Sequence, residues 1–357
     1  VIYLDNNAST NLDPAVREAV GEALGLFGNP SSMHTMGRAA RRAVEEARDE
    51  VARLVGASSV EIFFTSGGTE ANAMAIHGTV SDAAGSGERG PFVLVRSGVE
   101  HPSVRDAFDA AAAESPAGGS RGTVRVADPE PSGALDAAKV RALLVGSGRE
   151  GDDIRLVSIM LASNEYGALF PVEEIAAVCR ERGVPLHTDA VQAAGRVPID
   201  VASLGADLLS LSAHKLHGPK GAGALFVRRG LRLVPRTRGG GQEGRLRAGT
   251  ENTPALVGFG VAARLARERL ASDATAIGRL RDRLETGILE RVPGVRVVGG
   301  AVPRLPNTTA IRFTGASAET LLVRLDLDGV CVSAGSACSS GTLAPSPALL
   351  ALGMSRA

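Results

Sequence analysis

Only three of the chain's 39 basic residues are lysines, Lys139, Lys215 and Lys220, so few side chains could serve as an amine nucleophile. Lys215 stands in Ser212-Ala213-His214-Lys215, directly after the apolar run Asp207–Leu211 and shortly before Gly218-Pro219. If that run is a strand, the lysine sits at its carboxyl end, where open α/β sheets bind ligands. A lysine placed there, between His214 and His217, can be a nucleophile or a structural, phosphate-contacting residue. His187-Thr188-Asp189-Ala190-Val191-Gln192 closes the preceding apolar run, Val184–Thr188. Asp189 can be a metal ligand, a helix cap or the partner of a ring cation. The last role is what a pyridoxal phosphate (PLP) site needs, because it keeps the pyridine nitrogen protonated and lets the ring accept electrons. Gln192, three residues on, could reach the ring's phenolic oxygen.

Thr65-Ser66-Gly67-Gly68-Thr69-Glu70 joins a short strand to a helical stretch, Ala71–Gly78. Its free N–H groups and the helix dipole would cradle an anion such as phosphate, although an ordinary capping turn has the same composition. His101, in Val99-Glu100-His101-Pro102, ends one strand region and opens a helix; taken singly it reads as a cap or core residue. Ser333–Gly341 is a small, polar run around Cys338 and reads as an exposed, flexible loop, unlike the apolar surroundings of Cys179 and Cys331. An exposed thiol is the better placed nucleophile, as thiolate. Three matches to G-x-G-x-x-G, at Gly85–Gly90, Gly146–Gly151 and Gly239–Gly244, lack the strand-then-helix context of a dinucleotide site and read as chance in a chain with 44 glycines.

The elements that position these residues follow from apolar patterning. Val60–Thr65, Phe92–Arg96, Thr123–Ala127, Ile154–Leu161, Val184–Thr188, Asp207–Leu211 and Ala222–Val227 read as short buried strands, several separated by helices such as Val172–Arg182. That alternation specifies an α/β domain around a mainly parallel sheet. Asp13-Pro14 caps a first helix, and a second runs from about Gly37 to Leu54. From Pro254 the texture changes to long Arg/Leu/Ala helices and a small strand–helix–strand unit.

Composition bounds the class. The 357 residues are 44% apolar and 22% charged, which excludes wholesale disorder, and equal numbers of basic and acidic residues give no sign of a nucleic-acid or membrane-surface partner. Three cysteines without CxxC pairing indicate neither a zinc site nor a disulfide framework and fit a reducing cytoplasm; no metal is expected. No apolar run reaches a membrane-spanning length, and the first residues read as a short strand and not as a signal peptide.

Taken together, the chain resembles the PLP-dependent cysteine desulfurases of the nitrogen-fixation and iron–sulfur-cluster type, in the class V aminotransferase superfamily, along its whole length. The resemblance is carried by Tyr3–Ala8, Phe27–Ser32, Thr65–Asn72, Glu100–Pro102, Asn164-Glu165, His187–Gln192, Ser212–Gly221, Gly239–Glu243, Arg247–Asn252 and Ser333–Gly341. It implies a fold-type-I PLP enzyme: a large domain, 13–253, with a mainly parallel seven-stranded sheet, and a smaller α/β domain, 1–12 and 254–357, carrying the cysteine loop. It also implies a cytoplasmic homodimer with active sites at the subunit interface. By the matching motifs Lys215 would hold PLP covalently, Asp189 would pair with the pyridine nitrogen, Gln192 would bond the phenolic oxygen and His101 would stack on the ring. Gly68, Thr69, Ser212 and His214 would hold the phosphate, helped by the partner subunit's Thr250, and Asn164 would lie near the phenolic oxygen and the substrate carboxylate. L-cysteine would displace Lys215, whose freed amine would then move the Cα proton. Cys338 would take the sulfur as a persulfide, releasing L-alanine and passing sulfur to an acceptor or scaffold protein, in iron–sulfur cluster assembly or another thiolation pathway.

Two positions depart from that pattern. Ser163 stands where asparagine is common and Tyr166 where threonine is frequent, and both are expected beside the site. The family's arginine for the substrate carboxylate has no counterpart here, Arg356 not matching its motif, so residues beyond Ala357 are expected to supply it. The rival readings are a selenocysteine lyase or another class V aminotransferase-like enzyme, and a catalytically idle sulfur-relay scaffold. An aminotransferase has no use for Cys338, and an idle scaffold has no reason to keep Lys215 and Asp189.

Overall fold

The computed structural model describes residues 1–82, 91–114, 122–145, 153–335 and 346–354. After a two-residue strand β1 (Ile2–Tyr3), the helices α1 (Pro14–Ala23) and α2 (Thr35–Leu54) precede the first strand of the main sheet. Asp13 starts α1 as expected: its carboxylate accepts the Ala15 N–H at 2.9 Å, and Pro14, which has no N–H to satisfy, takes the first helical position. His34 caps α2 through Nδ1, which accepts the Gly37 N–H at 3.2 Å.

All seven apolar runs form one sheet: β2 (Ile62–Thr65), β3 (Phe92–Ser97), β4 (Thr123–Ala127), β5 (Asp153–Ser158), β6 (Leu186–Asp189), β7 (Leu208–Ser212) and β8 (Gly223–Val227). Their order is β2-β8-β7-β6-β5-β3-β4, parallel except for β8, which runs antiparallel to both β7 and β2. Val60 and Glu61, expected as strand, fall instead in a 3-10 turn, Ser59–Glu61, whose capping box joins Ser58 and Glu61. Phe92, Leu94, Leu156, Leu208 and Leu225 pack on one face with α3 (Gly68–Asp82) and α4 (Pro102–Ala113). Val93, Val95, Val157, Leu209 and Phe226 pack on the other with α2, α5 (Ala137–Val145) and α6 (Val172–Glu181). A sheet covered on both faces needs strands apolar on both sides, which is why these runs do not alternate with polar residues.

A one-turn helix α7 (Val201–Leu204) leads into β7, and beyond the sheet lies α8 (Thr253–Arg291), a single 39-residue helix. Its first turns bury Leu256, Phe259, Ala262 and Ala263 in the large core, whereas past Ala263 Glu285 is its one buried residue among those described. A light unit follows: β9 (Val295–Val297) antiparallel to β10 (Ile311–Phe313), then α9 (Ala318–Leu327) and β11 (Val330–Cys331), which returns to pair parallel with β1. The short α10 (Pro347–Ala351) is the last described helix. No described helix is long and apolar enough to cross a membrane.

Candidate active site

The expected residues converge at the carboxyl ends of β6 and β7. Lys215 ends a 3-10 turn, Ala213–Lys215, that follows β7 directly. Its Nζ donates to the main-chain carbonyls of Asn7 and, at 2.9 Å, Ala8. The segment after β1 therefore lies across the lysine. Asn7 is tied down in turn by its own side chain, whose Nδ2 donates to the Asn164 carbonyl at 3.1 Å and to Thr308 Oγ1 at 3.0 Å. The neighbouring His214 holds the same segment through its carbonyl, which accepts from Thr10, and its Nδ1 lies 3.2 Å from Ser9 Oγ. Burial, with the charges of Lys215, Lys220 and Arg196, pushes His214 down to about 4, so it is neutral near pH 7.

Asp189, at the end of β6, is almost fully buried, and both its oxygens have donors: Val191 N–H at 2.9 Å and Asn72 Nδ2 at 2.8 Å. Asn72 also donates to Ser103 Oγ at 2.9 Å. Ser103 meets His101 twice, its N–H donating to Nδ1 at 3.1 Å and its Oγ standing 2.7 Å from the same nitrogen. Because Nδ1 accepts, the neutral ring carries its proton on Nε2. Burial lowers the His101 pKa, the Asp189 charge opposing it. Glu100 lies beneath. Its Oε1 accepts from Ser97 Oγ at 2.6 Å and Met160 N–H at 2.8 Å while Oε2 is buried without a partner, and burial raises the carboxyl to about 8. Under the sheet's end His187 bridges Ser158 Oγ (2.8 Å) and Ser210 Oγ (3.0 Å), and burial takes it down to about 4.

The Thr65–Glu70 turn forms the floor of a cavity of about 430 Å³ lined by Ser66, Gly68, Thr69, Ser212, His214 and Lys220, among others. Residues at the start of α3 leave N–H groups without intrahelical partners. Glu70 braces the turn, accepting from Ser66 N–H at 2.6 Å and from Arg247 Nε at 3.0 Å; burial opposes its ionisation, but these donors outweigh it and hold its pKa down. Backbone comes unusually close here. A Cβ on Gly223 would sit 2.5 Å from Gly67 main-chain atoms, and one on Gly68 would fall 2.8 Å from Val191 Cγ2. Ser212 Oγ is buried with no partner. An orphaned hydroxyl, a helix start, a neutral imidazole and a lysine around one cavity fit a phosphate group, and the Asp189 carboxylate at the adjoining strand end fits a pyridinium: the residues fit PLP.

Gln192 Nε2 donates to the Asn7 carbonyl at 2.9 Å, and its Oε1 accepts from Arg196. Asn164 lies in the turn after β5, held by Asn7. Tyr166 is buried against Gly133 and Gly299, joining the β4–α5 connection to the light unit, while Ser163 Oγ accepts the N–H groups of Glu165 and Tyr166. Thr250 is exposed in the stretch before α8. The third glycine-motif match, Gly239–Gly244, leads into the 3-10 turn Glu243–Arg245 and serves a different end. It brings Glu243 inward, where Arg48 grips it with two bonds (2.6 and 2.8 Å) and the Phe64 N–H donates to it at 2.7 Å. The other two matches, Gly85–Gly90 and Gly146–Gly151, lie outside the described residues, as does Cys338. The ends of its segment are described. A Cβ on Gly335 would stand 3.4 Å from Ser346 Cβ, and Ser346 Oγ donates to the half-buried Glu165 carboxylate at 2.6 Å. Cys179 is sealed in the core, its thiol pushed up to about 12 by burial, and Cys331 is part-buried on β11.

Asn72 and Arg196 belong to this constellation although the sequence did not single them out, and Lys220, counted there only as a possible nucleophile, lines the cavity. Asn72 had a signal: it lies four residues after Gly68, on one face of the same helix.

The family model for class V aminotransferases matches residues 2–356, and the chain belongs to that PLP-dependent family. Within it the similarity is to cysteine desulfurases. The relative from Cereibacter sphaeroides is 46% identical over 353 residues, which is 98% of this chain and 86% of that protein; the one from Trichormus azollae is 43% identical over 355 residues, 99% and 84%. Among solved structures, a NifS-like protein from Rickettsia africae superposes with a TM-score of 0.86 at 33% identity, covering 99% of this chain and 90% of that one. The mainly parallel seven-stranded α/β architecture is that of the fold-type-I PLP enzymes.

Proposed function

We propose that the chain removes sulfur from L-cysteine, forming L-alanine and a persulfide on Cys338. The observation that carries this reading is the placement of Lys215 and Asp189 after the neighbouring strands β7 and β6, with Asp189 held by two donors from Asn72 and Val191, at the sheet end that also bears the cavity at the start of α3. When bound, PLP supplies an electron sink for charge developing at the substrate Cα. Asp189 would pair with the pyridine nitrogen and keep a proton there. Gly68, Thr69, Ser212 and His214 would hold the phosphate, with Lys220 adding a cation at the same cavity. The His101 ring would cover the cofactor face. Lys215, with its amine free, would be the base that takes the Cα proton. At Cys338 the thiolate attacks the substrate sulfur: the sulfur–sulfur bond forms as the carbon–sulfur bond breaks, the pair from that bond stays on Cβ, where a proton completes the methyl of L-alanine, and the persulfide then serves an acceptor protein.

The finer assignments belong to the same proposal: large and small domains divided as 13–253 against 1–12 with 254–357, a cytoplasmic homodimer completed by the partner subunit's Thr250, and an iron–sulfur or other thiolation pathway downstream. Incubation with L-cysteine and a reductant should give sulfide and alanine in equal amounts. Borohydride reduction and peptide mapping should place the cofactor on Lys215; a label on Lys139 or Lys220 overturns the assignment.

A further inference from the structure

Arg196 is buried beside Gln192, and no carboxylate pairs with it among the described residues. Burial alone pulls its pKa down, to about 10, so it remains a cation at neutral pH. A buried charge without a counter-ion is costly unless its donors are all used. The oxygens it meets are uncharged: the Gln192 carbonyl at 3.0 Å, Gln192 Oε1, and the Asn6 carbonyl at 3.2 Å.

These contacts fix the orientation of the Gln192 amide. A guanidinium can only donate, so the Gln192 atom facing it must be oxygen; the Asn7 carbonyl can only accept, so the atom facing it must be nitrogen. Both constraints select the same orientation. The amide nitrogen has two hydrogens, and Asn7 uses one. Resting on the PLP reading above, we propose that Arg196 is a positioning residue which holds the Gln192 amide so that its second N–H points to the phenolic oxygen of the cofactor. Without Arg196 the amide could turn its oxygen toward that site, replacing an attractive contact to a phenolate with a repulsive one. The same guanidinium, through Asn6, keeps the carbonyls of Asn7 and Ala8 over Lys215.

The test uses the full chain loaded with PLP and reads the pH at which the visible band of the bound cofactor titrates, a quantity that reports stabilisation of the phenolate. Arg196→Met should raise that midpoint by about one unit, a ten-fold shift, while Arg196→Lys, which still donates to Oε1, should stay close to the parent. Asp189, His101, His214, Lys215, Lys220 and Asp5, the other ionisable groups on the segments around this corner, are unchanged in each variant. A folded Arg196→Met protein with a lower melting temperature but the parent's midpoint would show a staple for the turn and nothing more, overturning the proposal. Should Arg196→Met fail to fold, Arg196→Lys is measured with and without Gln192→Leu. Any shift it causes must vanish when Gln192 is Leu, and an equal shift in both backgrounds overturns the proposal. Failure of the PLP reading itself is distinct: the parent protein would give no borohydride-fixed label on Lys215.

Discussion

The end of the sheet and the light unit beyond α8 are built to different standards. At the sheet end His187, Asp189, Ser210 and Ser212 are nearly or wholly shielded from solvent, and Asn72, Asp189 and Ser103 each answer at least two partners. In the light unit α9 buries no residue at all, and Val323 and Leu327 are 56% and 73% exposed. The proposed function would ask for such a difference. An amine that must take a proton from one carbon tolerates little misplacement, so it needs a closely held frame; a thiol nucleophile that serves an acceptor protein makes no such demand of the unit beyond α8.

Four measurements break or sharpen this contrast, taken from the largest expected effect downward. Lys215→Ala and Cys338→Ser should each cut sulfide release by roughly a thousand-fold or more, in line with loss of a positioned proton carrier or nucleophile. They differ in the spectrum: Cys338→Ser still changes absorbance with L-cysteine, and Lys215→Ala shows no covalently fixed cofactor. Cys179→Ser and Cys331→Ser should stay active, and full activity of Cys338→Ser would refute the division of labour. Next, Arg48→Met leaves Glu243 charged and buried, so urea unfolding should show a loss of about 3–5 kcal/mol.

The third effect depends on pH. Burial takes His187 from an ordinary 6.5 down to about 4 in the folded chain, so the stability it contributes is complete above pH 6.5 and is lost as pH falls toward 4. The difference amounts to about 3 kcal/mol. The acid limb of the stability curve over that window should flatten in His187→Gln. Smallest is Leu327→Ala, which should move stability by no more than about 0.5 kcal/mol, whereas Phe259→Ala, in the large core, should cost about 3–5. Equal losses at these two positions would erase the contrast.

The sheet could be read from the sequence because its strands are covered on both faces, so each is a continuous apolar run bounded by loops. The candidate site could be placed because Lys215, Asp189 and the Thr65–Glu70 turn each abut such a run. The N-terminal segment's place over Lys215 could not, since its bonds use main-chain carbonyls of Asn7 and Ala8, which no side-chain pattern encodes. Arg196 escaped for a related reason. One arginine among 36 looks like surface charge until the chain wraps Asn6 around it. Val60 and Glu61 read as strand because the apolar Val60 continues the run, while the competing signal, a capping box, is only two side chains long.

The pairing of Ile2 with Val330 and of Tyr3 with Cys331 joins residues more than three hundred positions apart. Asn7 and Ala8, which hold Lys215, follow that pair closely in the chain. During synthesis, at about 5–20 residues per second, the first strand waits tens of seconds for its mate. Until then only Asn164, Gln192, Arg196 and His214, all earlier in the chain, can hold the Asn6–Thr10 segment over the lysine, and the ties to Thr308 and β11 come last. Such distant contacts close last because the entropy of the intervening loop must be met first.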